Sequence, residues 1–231
     1  MTQNLTDFRG VFHFSGGGGS MHLARHLAFM ALAFAPFATK AAAEDVPAVA
    51  SEHSTVSVLA FVGASVRGFQ SYPFESTSGD QTFAGLSLAW TPLELPLGFQ
   101  AGLDGGLSVR HDGHRYGPAG TSVEGWFGPT IRHSGIPLGP LLFRPAVTVG
   151  LSAVSQSYGL ERQREIEEGG DASVLYYAGL ELGLALKSHP NIDLVYRLHH
   201  RSGASQVSYL PEIGNIGDTM NAQTVGLRYH F

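Results

Sequence analysis

The sequence predicts an all-β protein, an eight-stranded antiparallel β-barrel. Three features support this prediction: apolar and polar residues alternate, the alternating segments are of similar length, and the connections between them alternate between short and long. Because successive side chains of a strand point to opposite sides, each alternating segment has one apolar and one polar face. There are eight such segments of about 8–12 residues, which is the length that a tilted strand needs to cross a membrane.

The last segment, from Asn221 to Phe231, shows the pattern most clearly. Its apolar face carries Val225, Leu227, Tyr229 and Phe231, and Thr224, Gly226, Arg228 and His230 alternate with them. The segment ends on an aromatic residue, which resembles the terminal signature by which outer-membrane barrels are recognised for insertion. This ending predicts that the apolar face meets lipid and the polar face lines the lumen.

Seven earlier segments share the alternation. Their apolar positions fall within these runs: Val56 to Val66, Leu86 to Trp90, Phe99 to Val109, Val123 to Ile131, Phe143 to Leu151, Val174 to Leu186, and Ile192 to Leu198.

The connections between the segments support a membrane barrel with both termini in the periplasm. Such a barrel has short periplasmic turns and longer outer loops. Short turns are predicted at Pro92–Pro96, Ile136–Pro140 and His189–Asn191. Longer loops are predicted at Gly68–Gln81, Asp112–Gly120, Tyr158–Asp171 and Gly203–Asn221.

The amino-terminal region is predicted to lie outside the barrel domain, which spans 55–231. Residues 21–43 have a basic lead, an apolar run of Leu27 to Ala38 and a small-residue site at Ala41–Ala43, which is typical of a secretory signal peptide. Residues 44–54 form a short lead into the barrel. Residues 1–20 include four consecutive glycines, and we interpret them either as a translated upstream region before a start at Met21 or as a flexible linker.

Composition excludes several other classes of protein. The formal net charge of −5 gives no reason to expect nucleic-acid binding. The absence of cysteine excludes disulfides, thiol catalysis and cysteine-ligated metals. His111 and His114 flank Asp112 in an outer loop, but loop histidines are more often solvated than metal-bound, so neither a metal nor a cofactor is predicted.

The charges on the polar face admit two architectures. Both signs are present, which suits a paired network in a narrow lumen or the wet exterior of a soluble lipocalin. The signal peptide, the terminal aromatic residue and the loop asymmetry favour the membrane barrel, with a lumen filled by side chains. The charged positions are Asp104, Glu124, Glu181, Asp193, Arg110, Arg132, Arg144, Lys187, Arg197 and Arg228.

One pair of residues could carry chemistry, His200 and Ser202 near the end of the seventh segment. They share parity with Leu194, Tyr196 and Leu198, so they are predicted to face lipid near the outer leaflet. Two residues apart on a strand, their side chains lie roughly 7 Å apart along it, within reach after local bending. Such a pair can supply a nucleophile and a base, although on spacing alone an interfacial structural role is the more common one.

The segment His200-Arg201-Ser202-Gly203-Ala204, placed before a final strand Val225–Phe231, resembles the lipid A 3-O-deacylase (acyloxyacyl hydrolase-like) family of outer-membrane barrels. The resemblance implies that Ser202 attacks an acyl ester of lipid A and that His200 takes its proton. It further implies that a downstream acid orients the histidine. Glu212 is preferred for this role, and Asp218 is the alternative.

The sequence departs from that family at the residue after the serine. The family has an asparagine there that contributes to the oxyanion hole, and this chain has Gly203. Losing one oxyanion donor typically lowers turnover by about 10²–10³-fold. Asn215 from the loop, or a backbone N–H group, could replace it.

Two functions therefore follow from the sequence. The first is an outer-membrane ester hydrolase acting on lipid A, with outer-leaflet lipopolysaccharide, the membrane and the barrel insertion machinery as its partners. The second is a structural or interaction barrel without catalysis. The charged run Glu161–Glu168 is predicted to be a solvated loop tip at the lipopolysaccharide headgroups. The oligomeric state is left open.

Overall fold

The computed structural model describes residues 55–66, 81–113, 118–203 and 210–231. The predicted extension (1–20), signal peptide (21–43) and lead (44–54) lie outside these residues. Among the described residues, no helix is long and apolar enough to cross a bilayer.

Eight long antiparallel strands form a closed barrel, as predicted. Most pair with their neighbours along the chain, and pairings of β1 with β9 and of β4 with β6 complete the ring. A three-residue strand, β5, lies inside one predicted turn and pairs with β6. The strands are β1 (Val56–Val66), β2 (Gln81–Glu94), β3 (Phe99–Asp112), β4 (Gly120–His133), β5 (Ile136–Leu138), β6 (Leu141–Val154), β7 (Val174–Leu186), β8 (His189–Ser202) and β9 (Asp218–His230).

Two predicted turns are displaced. Pro92–Pro96 was assigned to a turn, but β2 continues to Glu94, and the connection to β3 is Leu95 with a short 3-10 helix at Pro96–Gly98. A register irregularity between Trp90 and Leu93 accommodates Pro92 within the strand.

His189–Asn191 was also assigned to a turn, but β8 already begins at His189, and the turn is Lys187–Ser188. A register irregularity after Ala185 accompanies this shorter connection. Lys187 consequently lies in the turn and is exposed, so it does not join the polar face as predicted.

The outer surface of the barrel is apolar, which indicates that it faces lipid and not water. Outward residues such as Leu86 of β2 and Leu227 of β9 are each 59% exposed. Charged residues of other strands, including Glu181 of β7 and Arg197 of β8, are buried inside. A soluble lipocalin has the opposite arrangement, so the lipocalin alternative is wrong. Apolar outside and charged inside is the pattern of a transmembrane β-barrel.

Ion pairs fill the half of the lumen nearer the short turns. Glu181 accepts from Arg228 Nη1 at 2.6 Å and from Arg197 Nε at 2.7 Å, and it also pairs with Arg132 at 3.4 Å. Arg197 extends the network to Asp104 at 3.2 Å. The mixed charges predicted for the polar face are therefore a paired lumenal network.

An aromatic layer separates this network from the end with the long loops. Phe83, Trp126 and Tyr177 pack with His199, whose ring centroid lies 5.1 Å from that of Trp126 and 4.7 Å from that of Tyr177. Phe61 packs in turn on Trp126. The Nε2 atom of His199 lies 2.8 Å from the Glu124 carboxylate. Packed rings and paired charges thus fix the inward face of the strands from inside.

Candidate active site

His200 and Ser202 lie at the end of β8 that leads into the long connection to β9. By the rule that long loops face outward, this is the outer end of the barrel. Both residues share parity with exposed Leu194, whereas His199 and Arg201 are buried in the lumen. The structure therefore brings the two residues together on the outward face of β8, as the alternation predicts.

The imidazole of His200 is held by an asparagine. Asn221 is the register partner of His200 across β8 and β9, and its Oδ1 atom lies 2.7 Å from His200 Nδ1. The prediction from sequence did not include this contact. A signal for it was present, because Asn221 has the parity of Val225 and β9 pairs with β8.

Ser202 lies beside Tyr176 of β7, its register partner. The Tyr176 hydroxyl donates to the carbonyl of Pro211 at 2.9 Å, which brings the segment 210–217 close to the serine. On the other side, Asp218 of β9 pairs with Ser202 in backbone register after a one-residue irregularity. The side chain of Asp218, the alternative acid, lies outside the described part of the structure.

Glu212, the preferred acid, lies in that segment and is solvent-exposed. Its two neighbours are both tied to the site. Pro211 accepts from Tyr176, and the Ile213 N–H donates to the carbonyl of Gly203 at 3.0 Å. Within the described residues, no hydrogen bond joins the Glu212 carboxylate to His200, whose Nδ1 contacts Asn221 instead.

Gly203 is buried under the same segment, which explains the absence of a side chain. A Cβ atom there would lie 2.0 Å from the Ile216 carbonyl oxygen and 2.5 Å from that of Ile213. An asparagine therefore does not fit without a backbone shift. The Gly203 N–H is also engaged, since it donates to the Gly217 carbonyl at 3.2 Å.

Asn215, the expected substitute donor, is directed elsewhere. Its Nδ2 donates to the carbonyl of Glu168 at 3.5 Å, and the residue is exposed with a left-handed φ of 47°. The arrangement therefore does not offer the Asn215 amide to the serine.

The charged run predicted as a solvated tip is instead a helix, α1 (Gly159–Glu168), that reaches into the barrel. Glu161 is 1% exposed and bonds to Arg110 at 2.9 Å and to Arg201 at 2.5 Å. A carboxylate is normally more stable in water than in a protein interior. Here two lumenal arginines compensate the cost of removing the Glu161 carboxylate from water. The solvated-tip prediction is thus wrong for Glu161.

Arg201 connects this helix to the candidate site. Its guanidinium donates to Ser152 Oγ at 2.5 Å, to Glu161 at 2.5 Å and to the carbonyl of Ala172 at 2.9 Å. Because Arg201 lies between His200 and Ser202 in the chain, these lumenal bonds fix the backbone that carries the outward pair.

Further bonds tie α1 to the segment over Gly203. Glu168 accepts from the Gly217 N–H of this segment at 2.8 Å. Glu165 accepts from the Ala172 N–H at 2.8 Å, which holds α1 to the connection that leads into β7. Burial disfavours the charged form of Glu165, but hydrogen bonds from Ser157, Arg162 and Ala172 outweigh it and keep the pKa of Glu165 below its usual value. Ionised Glu165 therefore helps to hold the end of the helix in place.

The loop histidines form no metal centre in the part of the chain that the structure describes, where no group of three or more His, Asp or Glu could hold an ion. His111 Nδ1 lies 3.1 Å from Thr121 Oγ1. His114 lies outside the described residues.

Comparison with known proteins identifies structural neighbours without close relatives in sequence. No family model matches the chain, and no curated protein sequence matches it. The outer-membrane enzyme PagL has a TM-score of 0.50 at 12% identity, covering 76% of this chain and 99% of PagL.

Two other solved structures are similar at lower scores. Neisserial surface protein A has a TM-score of 0.45 at 12% identity, covering 77% of this chain and 98% of its own. OprG from Pseudomonas aeruginosa has a TM-score of 0.37 at 9% identity, covering 78% and 97%. The likeness to PagL, at 12% identity, concerns the fold alone. Together with the apolar exterior, that fold is a small outer-membrane barrel of the Gram-negative type.

Proposed function

We propose that this barrel hydrolyses an ester-linked acyl chain of lipid A in the outer leaflet. The observation that carries the proposal is the shared, membrane-facing position of His200 and Ser202, with the imidazole held through Nδ1 by Asn221. A serine and an oriented histidine on the same face are the minimum for nucleophilic acyl transfer. Their place at the outer end of β8 gives them access to outer-leaflet lipid.

The proposed reaction follows ordinary serine-hydrolase chemistry. Ser202 Oγ attacks the ester carbonyl carbon while its proton passes to His200 Nε2. The tetrahedral intermediate collapses, the sugar oxygen leaves with that proton, and an acyl-serine remains. Water, deprotonated by His200, then releases the fatty acid and regenerates Ser202.

Glu212 is proposed as the acid of the site. Its segment is held close to Ser202 by two hydrogen bonds. Pro211 accepts from Tyr176, the register partner of Ser202, and Ile213 donates to Gly203, the residue that follows Ser202. A carboxylate approaching from this segment would stabilise the imidazolium that forms during the reaction. Comparison of Glu212→Gln with Asp218→Asn would show which of the two acids contributes.

The proposed partners follow from the same interpretation. They are outer-leaflet lipopolysaccharide as the source of lipid A and the barrel insertion machinery, which would recognise the closing strand. An extract of outer-membrane lipid provides the substrate for testing whether the barrel acts on lipopolysaccharide.

Gly203 favours a second candidate function, a barrel without catalysis. Its N–H donates to Gly217, and a side-chain donor does not fit at this position. A donor at the oxyanion typically contributes about 10²–10³-fold to turnover, so a site without one would be a poor hydrolase. In that case, the outer loops would serve interaction or envelope stability.

Mass spectrometry of lipid A distinguishes the two candidates. We expect a Gram-negative host that produces the wild-type barrel to lose one hydroxyacyl chain from its lipid A. Ser202→Ala should restore the full profile, and Ser188→Ala should not. Ser188 is a matched control because it also contacts a histidine, His189 Nδ1 at 3.0 Å, at the opposite end of the barrel. An unchanged profile with folded, heat-modifiable wild-type protein would favour the barrel without catalysis.

A further inference from the structure

The outward face of β9 presents one buried polar side chain next to the candidate site, that of Asn221. It is 5% exposed and contacts His200 Nδ1 through Oδ1 at 2.7 Å. The outward positions further along the strand, from Val225 to Tyr229, are apolar and exposed, for example Leu227 at 59%. A buried amide among such positions requires a polar partner, and the imidazole supplies one.

The backbone at both ends of this contact is fixed. Asn221 pairs with His200 on one side and with Val66 of β1 on the other, so it lies within a continuous ladder. His200 in turn pairs with Ala178 of β7. The register irregularity of the β8–β9 pair begins only after Arg201, which leaves the His200–Asn221 pair in regular register.

The chemistry of the contact selects one tautomer of the imidazole. A side-chain amide oxygen accepts hydrogen bonds and cannot donate them, so Nδ1 of His200 must carry the hydrogen. The neutral ring then presents its lone pair at Nε2, the atom that a general base needs. Asparagine performs this orienting task for the histidine of papain-like proteases.

An amide also suits the location better than a carboxylate. A charged group on the lipid-facing side of a barrel is disfavoured, whereas a neutral amide that is hydrogen-bonded is tolerated. The outer end of β9 can therefore keep an orienting group in the wall of the barrel without placing a charge in lipid.

We propose that Asn221 is the positioning residue of the site, which fixes His200 in the Nδ1–H tautomer. This inference rests on the proposed hydrolytic function. It assigns tautomer control to Asn221 and leaves charge stabilisation to the loop acid. Asn221 does not contact the reacting atoms itself, so it acts through His200.

The first test reads the tautomer directly and does not require activity. The full barrel, labelled with ¹⁵N-histidine and folded in detergent, is measured by NMR, and His200→Gln identifies the His200 signals by subtraction. We expect the Nδ1–H tautomer in the wild type, a shift towards the Nε2–H form in Asn221→Ala, and retention of Nδ1–H in Asn221→Asp. Glu212→Gln should leave the tautomer unchanged. The same tautomer in wild type and Asn221→Ala would overturn the proposal.

The second test measures the labelling of Ser202 by a fluorophosphonate probe on the same samples. Asn221→Ala should slow labelling by between about 10-fold and 10⁴-fold, the upper figure being the effect of a wrong tautomer in serine proteases. Asn221→Asp, which retains an acceptor, should recover most of the rate. Gln223→Ala is the matched control, because Gln223 is on the same face of β9 but pairs with Leu198.

The two readouts separate the inference from the function on which it rests. Labelling of Asn221→Ala at the wild-type rate would contradict the positioning role. A different outcome is that the wild type is not labelled at all, while its Nδ1–H tautomer is lost in Asn221→Ala. That outcome would contradict the hydrolytic function but support the role of Asn221 in orienting His200. If Asn221→Ala does not fold, the comparison of Asn221→Asp with wild type decides, since a changed tautomer there would overturn the proposal.

Discussion

The outer end of β8 presents two different environments on alternate residues. His199 and Arg201 point into the lumen, where carboxylates, a serine and a carbonyl hold them in a dense network. His200 and Ser202 point outward, where an asparagine holds the imidazole beside an apolar, lipid-facing wall. The same residue type, histidine, is therefore packed between aromatic rings at one position and placed at the membrane surface at the next.

This difference indicates a division of tasks between the two faces. The lumenal residues fix the backbone from inside, through polar contacts that reach α1, β4 and β6. The outward residues then need only this rigid backbone and one orienting contact, from Asn221 to His200, for the proposed reaction. Variants of the two faces should consequently fail in different ways.

The largest expected effect is on catalysis by the outward face. In the purified barrel, His200→Gln should reduce the proposed release of fatty acid from lipid A about 10⁴-fold or more, because the proposed general base is removed. The loss of stability should stay within about 1–3 kcal/mol, the cost of leaving the buried Asn221 amide without its imidazole partner. Fatty acid release is measured by mass spectrometry, with His189→Gln of the opposite end as the control. Wild-type release by His200→Gln would show that the outward histidine has no role in hydrolysis.

The largest effect on stability should come from the lumenal face. Glu181→Ala leaves three arginines without their shared carboxylate, Arg132, Arg197 and Arg228. Breaking a buried pair by removing one partner typically costs about 3–5 kcal/mol. Urea unfolding followed by tryptophan fluorescence measures the loss, and exposed Glu167→Ala on α1 should change stability by about 0–1 kcal/mol. Equal stabilities of the two variants would contradict the lumenal network.

The division between the faces was largely predictable from the sequence. A period of two assigns each residue of β8 to a side. The mixed charges suited either a paired lumen or a wet exterior, and the signal peptide, the terminal aromatic residue and the loop asymmetry favoured the lumen. The identity of the pairs was not predictable, because Arg201 and Glu161 are 40 positions apart and meet only when the barrel closes.

The errors arose where tertiary contacts outweigh local pattern. The run Glu161–Glu168 is charged enough to suggest solvent, and only the arginines inside the barrel make it favourable for Glu161 to be buried. The missing side-chain donor at Gly203 was visible in the sequence, but its physical cause was not: the carbonyls of Ile213 and Ile216 leave no room for a side chain. Asn221 required the register of β8 and β9, which turn lengths alone do not determine.

A smaller effect is expected from Gly203, which lies between the two environments. In Gly203→Ala the new Cβ would be 2.0 Å from the Ile216 carbonyl oxygen, so segment 210–217 must shift. We expect a loss of about 1–3 kcal/mol, as for other overpacked sites, and faster proteolysis of this segment. Gly125→Ala is the control, because its Cβ would meet the flexible side chain of Leu107 at 3.2 Å. Unchanged proteolysis would show that the segment does not pack on Gly203 as described.

The smallest effect concerns the pH dependence of α1. The pKa of Glu165 is lowered in the folded protein, so its contribution is present above the unfolded pKa of about 4.3 and is lost as the pH falls through the lower folded value. The protection of the Ala172 amide against hydrogen exchange, measured relative to its intrinsic rate, should fall at low pH because its N–H bonds to Glu165. Glu165→Gln should lose this additional pH dependence, and Glu167→Gln should keep it. Identical profiles in wild type and Glu165→Gln would contradict the assignment.

The division of tasks between the two faces of β8 is tested most directly by measuring fatty acid release from lipid A vesicles per folded molecule. Ser202→Ala of the outward face and Arg201→Met of the lumenal face are compared with wild type, and the unfolding midpoint of each sample is recorded. Ser202→Ala should abolish release at an unchanged midpoint, whereas Arg201→Met should lower the midpoint and keep release within about tenfold of wild type. Release by Ser202→Ala at the wild-type rate would contradict the assignment of chemistry to the outward face.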